Sequence, residues 1–157
     1  MRYIAKNEEI EEVASLRQPL KEVLEGLGFR LIELTVFRHR GSVQVRTVIY
    51  NGASVGVDDC TNAHRAIMPK LELAFPKQEI SLEVSSPGTD RTIRDGVEFT
   101  HYTGKGVRCY RKDISDWTAG VLQSADEKGV VLKTKEGNVR LEFDIIAKAK
   151  LDGSLQS

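Results

Sequence analysis

Between Glu8 and Leu27 the apolar residues Ile10, Val13, Leu16, Leu20, Val23, Leu24 and Leu27 return every three or four positions, and directly after Gly28 the apolar spacing falls to two. The first period buries one stripe of a helix and the second one face of a strand, so the chain must fold with helix covering sheet. Asn7 stands where it can cap the helix, Pro19 inside the pattern predicts a kink, and Gly28 predicts the stop.

Alternation runs from Phe29 to Arg38 through Ile32, Leu34 and Val36, and again from Val43 to Tyr50 through Val43, Val45 and Thr47. The short polar link His39-Arg40-Gly41-Ser42 makes these an antiparallel hairpin whose exposed side is basic. Asn51-Gly52 is a turn signal, and Asp58 or Asp59 is placed to cap a second helix carrying Cys60, Ala63, Ile67 and Leu71, which Pro69 interrupts. Ile80, Leu82 and Val84 then alternate with Ser81 and Glu83 in a strand from Glu79 to Ser85. The order is α-β-β-α-β, a KH-like or prodomain-like α+β arrangement.

Beyond Gly104 only short strand candidates remain, at residues 106–111, 117–124, 130–134, 139–143 and 145–150. Five short strands cannot leave flat edges exposed, and a small closed all-β barrel is the economical arrangement. The boundary falls after Arg91, giving an N-terminal α/β domain over 1–91 and a C-terminal barrel over 92–157.

The chain has 23 basic and 23 acidic residues. That balance excludes the uniformly basic footprint of a protein held mainly by phosphates, so local patches must carry any nucleic-acid contact. Two segments are free of acid: Leu34 to Val57, with Arg38, Arg40 and Arg46, and Gly104 to Lys112, with Lys105, Arg108, Arg111 and Lys112. Glutamates instead dominate residues 8–25, an acidic helix face that RNA should avoid. Only Cys60 and Cys109 are present, far apart and outside any CxxC pattern, so two reduced thiols in a reducing cytoplasm are expected. No apolar run approaches the ~18 residues of a membrane span, and no basic leader precedes one at the start.

The most distinctive segment is Leu82-Glu83-Val84-Ser85-Ser86-Pro87-Gly88-Thr89-Asp90-Arg91. Pro87 followed by Gly88 favours a type II turn, since proline sets the first central dihedral and glycine accepts the positive one. Ser85, Ser86 and Asp90 have side chains that can hold loose backbone donors, and Arg91 can pair with Asp90 or reach a phosphate. Read structurally this is a rigid hinge between domains; read functionally it is a loop touching RNA or protein, and one segment can serve both roles.

A serine nucleophile at Ser85 or Ser86, with His64 or His101 as base and Asp58, Asp59 or Asp90 behind it, lacks the Gly-x-Ser-x-Gly elbow, and chance composition accounts for the residues. No histidine pairing suits a metal: Glu98-x-x-His101 occurs once, and Asp58-Asp59 suits a helix cap. Gly104-Lys105-Gly106 is no phosphate loop. No enzyme activity and no cofactor are expected. The segment Arg108-Cys109-Tyr110-Arg111-Lys112 places cations and an aromatic on a strand, either to meet RNA or to protect a sheet edge. Lys148 and Lys150 should share a face and admit both readings. Trp117, on a strand with Val121, reads as core.

These residues resemble the ribosome maturation factor RimP family. The likeness runs through Leu27-Gly28-Phe29, Val57-Asp58-Asp59-Cys60, Leu82 to Arg91 apart from Thr89, and Ile146-Ala147-Lys148-Ala149-Lys150-Leu151. It implies an N-terminal α/β domain joined to an SH3-like or Sm-like barrel. It also implies binding to the free small (30S) ribosomal subunit, near 16S rRNA and a ribosomal protein of the decoding region, to promote late assembly; a cytoplasmic monomer is expected. Thr92-Ile93 stands where the family has Pro-Leu, which predicts a looser start to the linker. The contacts expected under this resemblance are Arg38, Arg40, Ser85, Ser86, Pro87, Gly88, Asp90, Arg91, Arg108, Arg111 and Lys112, with Asp90 mainly orienting Arg91.

Overall fold

The computed structural model describes residues 1–3 and 11–155. The expected Asn7 cap and the first turn of the helix pattern lie outside them. The chain divides into two compact units with the break between Pro87 and Gly88, and residues 1–3 go with the second unit.

The first unit has the elements α1 (Glu11–Gly26), β1 (Arg30–His39), β2 (Ser42–Tyr50), α2 (Val57–Ala74) and β3 (Glu79–Ser85). Leu16, Leu20 and Leu24 line the buried stripe of α1, and Ala63, Ile67 and Leu71 that of α2. Both stripes join Leu31, Leu34, Val43, Val45 and Ile49 in one core, so the two helices cover one face of the sheet. α1 stops in a Schellman arrangement: Gly28 adopts φ +89°, its N–H donates to Glu25 O and the N–H of Phe29 donates to Leu24 O.

β1 and β2 pair antiparallel around a two-residue turn in which Arg40 (φ 44°) and Gly41 (φ 79°) are both left-handed. That is the backbone twist hairpins require. β2 and β3 pair parallel, Ser42 opposite Glu79 through Val48 opposite Ser85, with α2 as the crossover.

Two expectations for α2 are corrected. The residue preceding the helix is Gly56, and Asp59 sits inside the first turn, where its carboxylate accepts the Gly56 N–H at 2.9 Å. A carboxylate there still favours the helix N-terminus, so the acidic pair does capping work from within the helix. Pro69 does not interrupt α2, which runs on to Ala74.

The second unit contains β4 (Gly106–Arg111), β5 (Asp116–Ala125), β6 (Gly129–Thr134), β7 (Gly137–Glu142) and β8 (Ile146–Leu151), with 3-10 turns at Glu98–His101 and Phe143–Ile145. The strands form one antiparallel sheet in the order β7-β6-β5-β4-β8. Val107, Cys109, Leu122, Val130, Leu132, Leu141, Ile146 and Ala149 turn to one side and are fully buried with Phe99 and Tyr102. Close backbone approach explains two glycines: a Cβ on Gly129 would lie 2.3 Å from Leu141 O, and one on Gly120 2.6 Å from Lys133 O. Asp126 organises the β5–β6 turn by accepting the N–H groups of Lys128 (2.8 Å) and Gly129 (3.0 Å).

Burial pushes the Cys109 thiol from its usual 9.0 up to about 12. Burial and the neighbouring Glu98 carboxylate hold the Tyr102 hydroxyl far above its usual range. In both cases the folded unit keeps a proton that the unfolded chain releases, so stability is complete below pH 9 and falls as pH rises toward 12. Cys109 alone should cost about 1.4 kcal/mol per pH unit in that window. Urea melts at stepped alkaline pH check this, and Cys109→Ala should flatten the slope.

Candidate functional site

The corner after β3 is built differently from its expected form. Gly88 does not adopt a positive φ, and the turn lies one step further on, with the Arg91 N–H donating to Gly88 O at 3.2 Å across Thr89 and Asp90. Thr89 and Asp90 take ordinary negative φ, so no left-handed residue is required and the Pro87-Gly88 type II turn does not form. The Ser85 and Ser86 hydroxyls make no hydrogen bond among the described residues, so they do not hold loose backbone donors there.

Arg91 corrects a second expectation. Its guanidinium pairs in bidentate fashion with Glu98, Nε to Oε2 at 2.6 Å and Nη2 to Oε1 at 2.9 Å. Asp90 has no hydrogen-bond or ion-pair partner among the described residues. Glu98 is completely buried, Arg91 is 14% exposed, and Glu98 Oε2 also accepts the Tyr102 hydroxyl at 2.8 Å. Asp95 accepts the Glu98 N–H, and Glu98 Oε1 accepts the Arg94 N–H.

Residues 91–93 are further tied to β8. Ile93 N–H donates to Ala149 O, Leu151 N–H donates to Arg91 O, and Thr92 bridges to Lys150. The Thr92-Ile93 departure therefore leaves the segment anchored, not loose.

The basic hairpin is largely neutralised in place. Arg38 shares the helix-facing side of β1 with Leu34 and Val36, where it reaches Glu12 of α1 at 2.6 Å and lies 5.0 Å over the Phe75 ring. Arg46 pairs across to Glu83 of β3 at 3.0 Å. Arg40, exposed at the hairpin tip, makes no ion pair among the described residues, and its left-handed φ is one that a non-glycine residue rarely holds.

The second basic segment has the clearest geometry. β4 lies between β5 and β8, so its charges do not guard an edge and the edge-protection reading fails. Cys109 and Val107 point into the core, which turns Arg108 and Tyr110 outward. Lys148 and Lys150 of β8 stand opposite Tyr110 and Arg108, so the two lysines share this face as expected. Trp117 and Ala119 of β5 stand opposite the same two residues on the other side.

Trp117 is therefore not core. It is 41% exposed, because Gly120 and Leu122 take the inward positions of β5 and leave 117, 119 and 121 outward. Its pairing with Val121 in the sequence was a sound clue to a common face, but not to which face. Tyr110 meets Trp117 edge-on with ring centroids 5.5 Å apart, and the Arg108 guanidinium lies 5.4 Å over the indole.

Arg108 also has a buried Nε–H with no hydrogen-bond partner, and it lines an open cleft of about 480 Å³ with Thr89, Asp90, Leu151, Asp152 and Ser154. Arg111 is held by Asp113 through two bonds, at 3.1 and 2.7 Å, while Lys112 is exposed and makes no ion pair among the described residues.

Among the described residues no cluster of three or more His, Cys, Asp or Glu side chains is placed to hold a metal ion, and no helix is long and apolar enough to cross a membrane.

A family model described as the RimP N-terminal domain matches residues 19–90. A Borrelia hermsii protein named ribosome maturation factor RimP is 34% identical over 132 residues, covering 84% of this chain and 90% of its own. Its Borrelia turicatae namesake is 31% identical with the same coverage. A Borreliella burgdorferi protein of that name is 26% identical over 152 residues, covering 96% of this chain and 99% of its own.

Proposed function

The chain belongs to the RimP family of ribosome maturation factors, and from that premise we propose that it binds the free small (30S) ribosomal subunit and promotes its late assembly without catalysing a reaction. The observation that carries this is the likeness to factors of that name across 84% of the chain, which takes in both compact units. Arg40, Arg108, Lys112, Lys148 and Lys150, which make no ion pair among the described residues, support it further. Cations left open in this way are the groups that hold rRNA phosphates.

In this reading 16S rRNA and a ribosomal protein of the decoding region are the partners, and the factor acts as a cytoplasmic monomer. Two domains are proposed, with the sequence boundary after Arg91 and the compact units dividing between Pro87 and Gly88, and the second is an SH3-like or Sm-like barrel. Full burial of Leu122, Leu132, Leu141 and Ile146 from four strands, with a single 3-10 turn joining β7 to β8, supports that closure. Linked domains bind jointly at high effective concentration, so the intact chain should hold the subunit far better than a mixture of severed halves.

Sedimentation of the full chain with small subunits, large subunits and whole ribosomes tests the proposal. Recovery with free small subunits alone is expected. Equal recovery with all three particles, or binding to free RNA oligomers as tight as to subunits, would replace it with a generic Sm-like RNA-binding module.

A further inference from the structure

The outer side of β8, β4 and β5 carries two cross-strand rows, Lys148-Tyr110-Trp117 and Lys150-Arg108-Ala119. Residues two apart along a strand put these rows roughly 7 Å from each other. Lys133 of β6 extends the face beside Val121. At these outward strand positions there are four cations and two aromatics, and no Asp or Glu.

None of the four cations makes an ion pair among the described residues. Asp90 and Asp152 line the cleft beside Arg108, the Asp152 carboxylate hydrogen-bonded by Ser154 and acting on Arg108 as a charge, and Asp116 at the start of β5 accepts the Trp117 N–H. At the other end, Asp113 is engaged by Arg111.

A soluble sheet gains nothing from an exposed indole ringed by unmatched cations on an inner strand. Lys148 and Lys150 lie on β8, the end strand of the sheet, where charge also guards an edge, but Arg108, Lys133 and Trp117 lie on inner strands where it does not, and like charges two residues apart repel. The arrangement suits a ligand that brings both negative charge and flat apolar surface. Single-stranded RNA brings both at a regular spacing, whereas an acidic peptide brings the charge without the rings and a duplex keeps its bases stacked inside.

We propose that this face binds unpaired RNA, with a base stacked on Trp117 and flanked by Tyr110, and with Arg108, Lys148, Lys150 and Lys133 on the phosphates. The inference rests on the ribosome-binding function proposed above and narrows it to a chemical class of RNA.

Trp117 is the sole tryptophan of the chain, so its fluorescence reports this one site. The full chain is titrated at low salt with an oligouridylate of about eight nucleotides, within the span one such barrel covers. Parallel titrations use an RNA duplex of equal length and inorganic polyphosphate.

Quenching by the single strand, with little change from the duplex or polyphosphate, is expected. By anisotropy of a labelled strand, Trp117→Ala should bind about tenfold more weakly while Trp117→Phe stays within a fewfold of wild type. Circular dichroism melts confirm that both variants fold, as exposure of the ring implies.

Equal quenching by all three polyanions, or unchanged affinity in Trp117→Ala, overturns the stacking site. Sedimentation of the same variants with small subunits separates the two ideas. A wild-type chain that is recovered with subunits but shows no stacking of the single strand sinks only this inference, and a wild-type chain that fails to recover with subunits sinks the functional reading.

Discussion

Replacing Glu98 with alanine should destabilise the second compact unit by about 3–5 kcal/mol, the range for removing one partner of a buried ion pair. The carboxylate has no exposure of its own and serves three donors at once: the Arg91 guanidinium, the Tyr102 hydroxyl and the Arg94 N–H. Alanine takes the bidentate acceptor away from a guanidinium that water scarcely reaches. Glu98→Gln keeps an acceptor for the neutral donors but leaves the Arg91 charge unmatched, so it should fall between alanine and wild type. The sole tryptophan lies in this unit, so urea unfolding followed by fluorescence reads the affected part directly. A Glu98→Ala midpoint within experimental error of wild type would show that the network contributes nothing net. The binding consequence is indirect, because the same network anchors residues 91–93 against β8, and β8 presents Lys148 and Lys150.

How much of this was legible beforehand follows from the range of each interaction. Apolar periodicity is local, and it located α1, α2 and β3 and all five strands of the second unit to within a few residues. Turn chemistry was legible at Gly28, where the requirement for a positive φ comes from the helix end itself. It misled at Pro87-Gly88, where a glycine permitted a left-handed conformation that the backbone did not take.

Partner choice was not legible, because it depends on what folding brings near. Arg91 stands next to Asp90 in the sequence but pairs with Glu98, and Arg38 lies 26 residues from the Glu12 that neutralises it. For the same reason the apparently basic hairpin loses two of its three charges. Conversely, Lys148 and Lys150 lie some forty residues beyond Arg108, and only the pairing of β4 with β8 makes them one surface. Trp117 was misread because strand alternation gives relative faces and not absolute ones. The inward-facing Gly120 and Leu122 on the same strand were the signal that would have settled it.

The largest functional effect should come from that composite surface. The triple variant Arg108→Gln, Lys148→Gln, Lys150→Gln should weaken binding to free small subunits by about two orders of magnitude near physiological salt and flatten its salt dependence. Each cation that neutralises a phosphate releases a counterion, so each removal lowers the slope of log affinity against log salt by about 1. Three removals should therefore take between 2 and 3 off the slope, in the manner of roughly 0.7–0.9 per phosphate. None of the three makes an ion pair among the described residues, and because Arg108 also packs over the Trp117 ring, melting curves of the variant separate any loss of stability from the loss of binding.

Arg38→Gln with Arg46→Gln is the control. It removes two positive charges against three, but from side chains already matched by Glu12 and Glu83, and should change the slope by far less than two thirds as much. If the two variants lost affinity and slope equally, net charge and not the arrangement on β4 and β8 would be what the subunit senses. That result would remove the structural basis for placing the contact on this face.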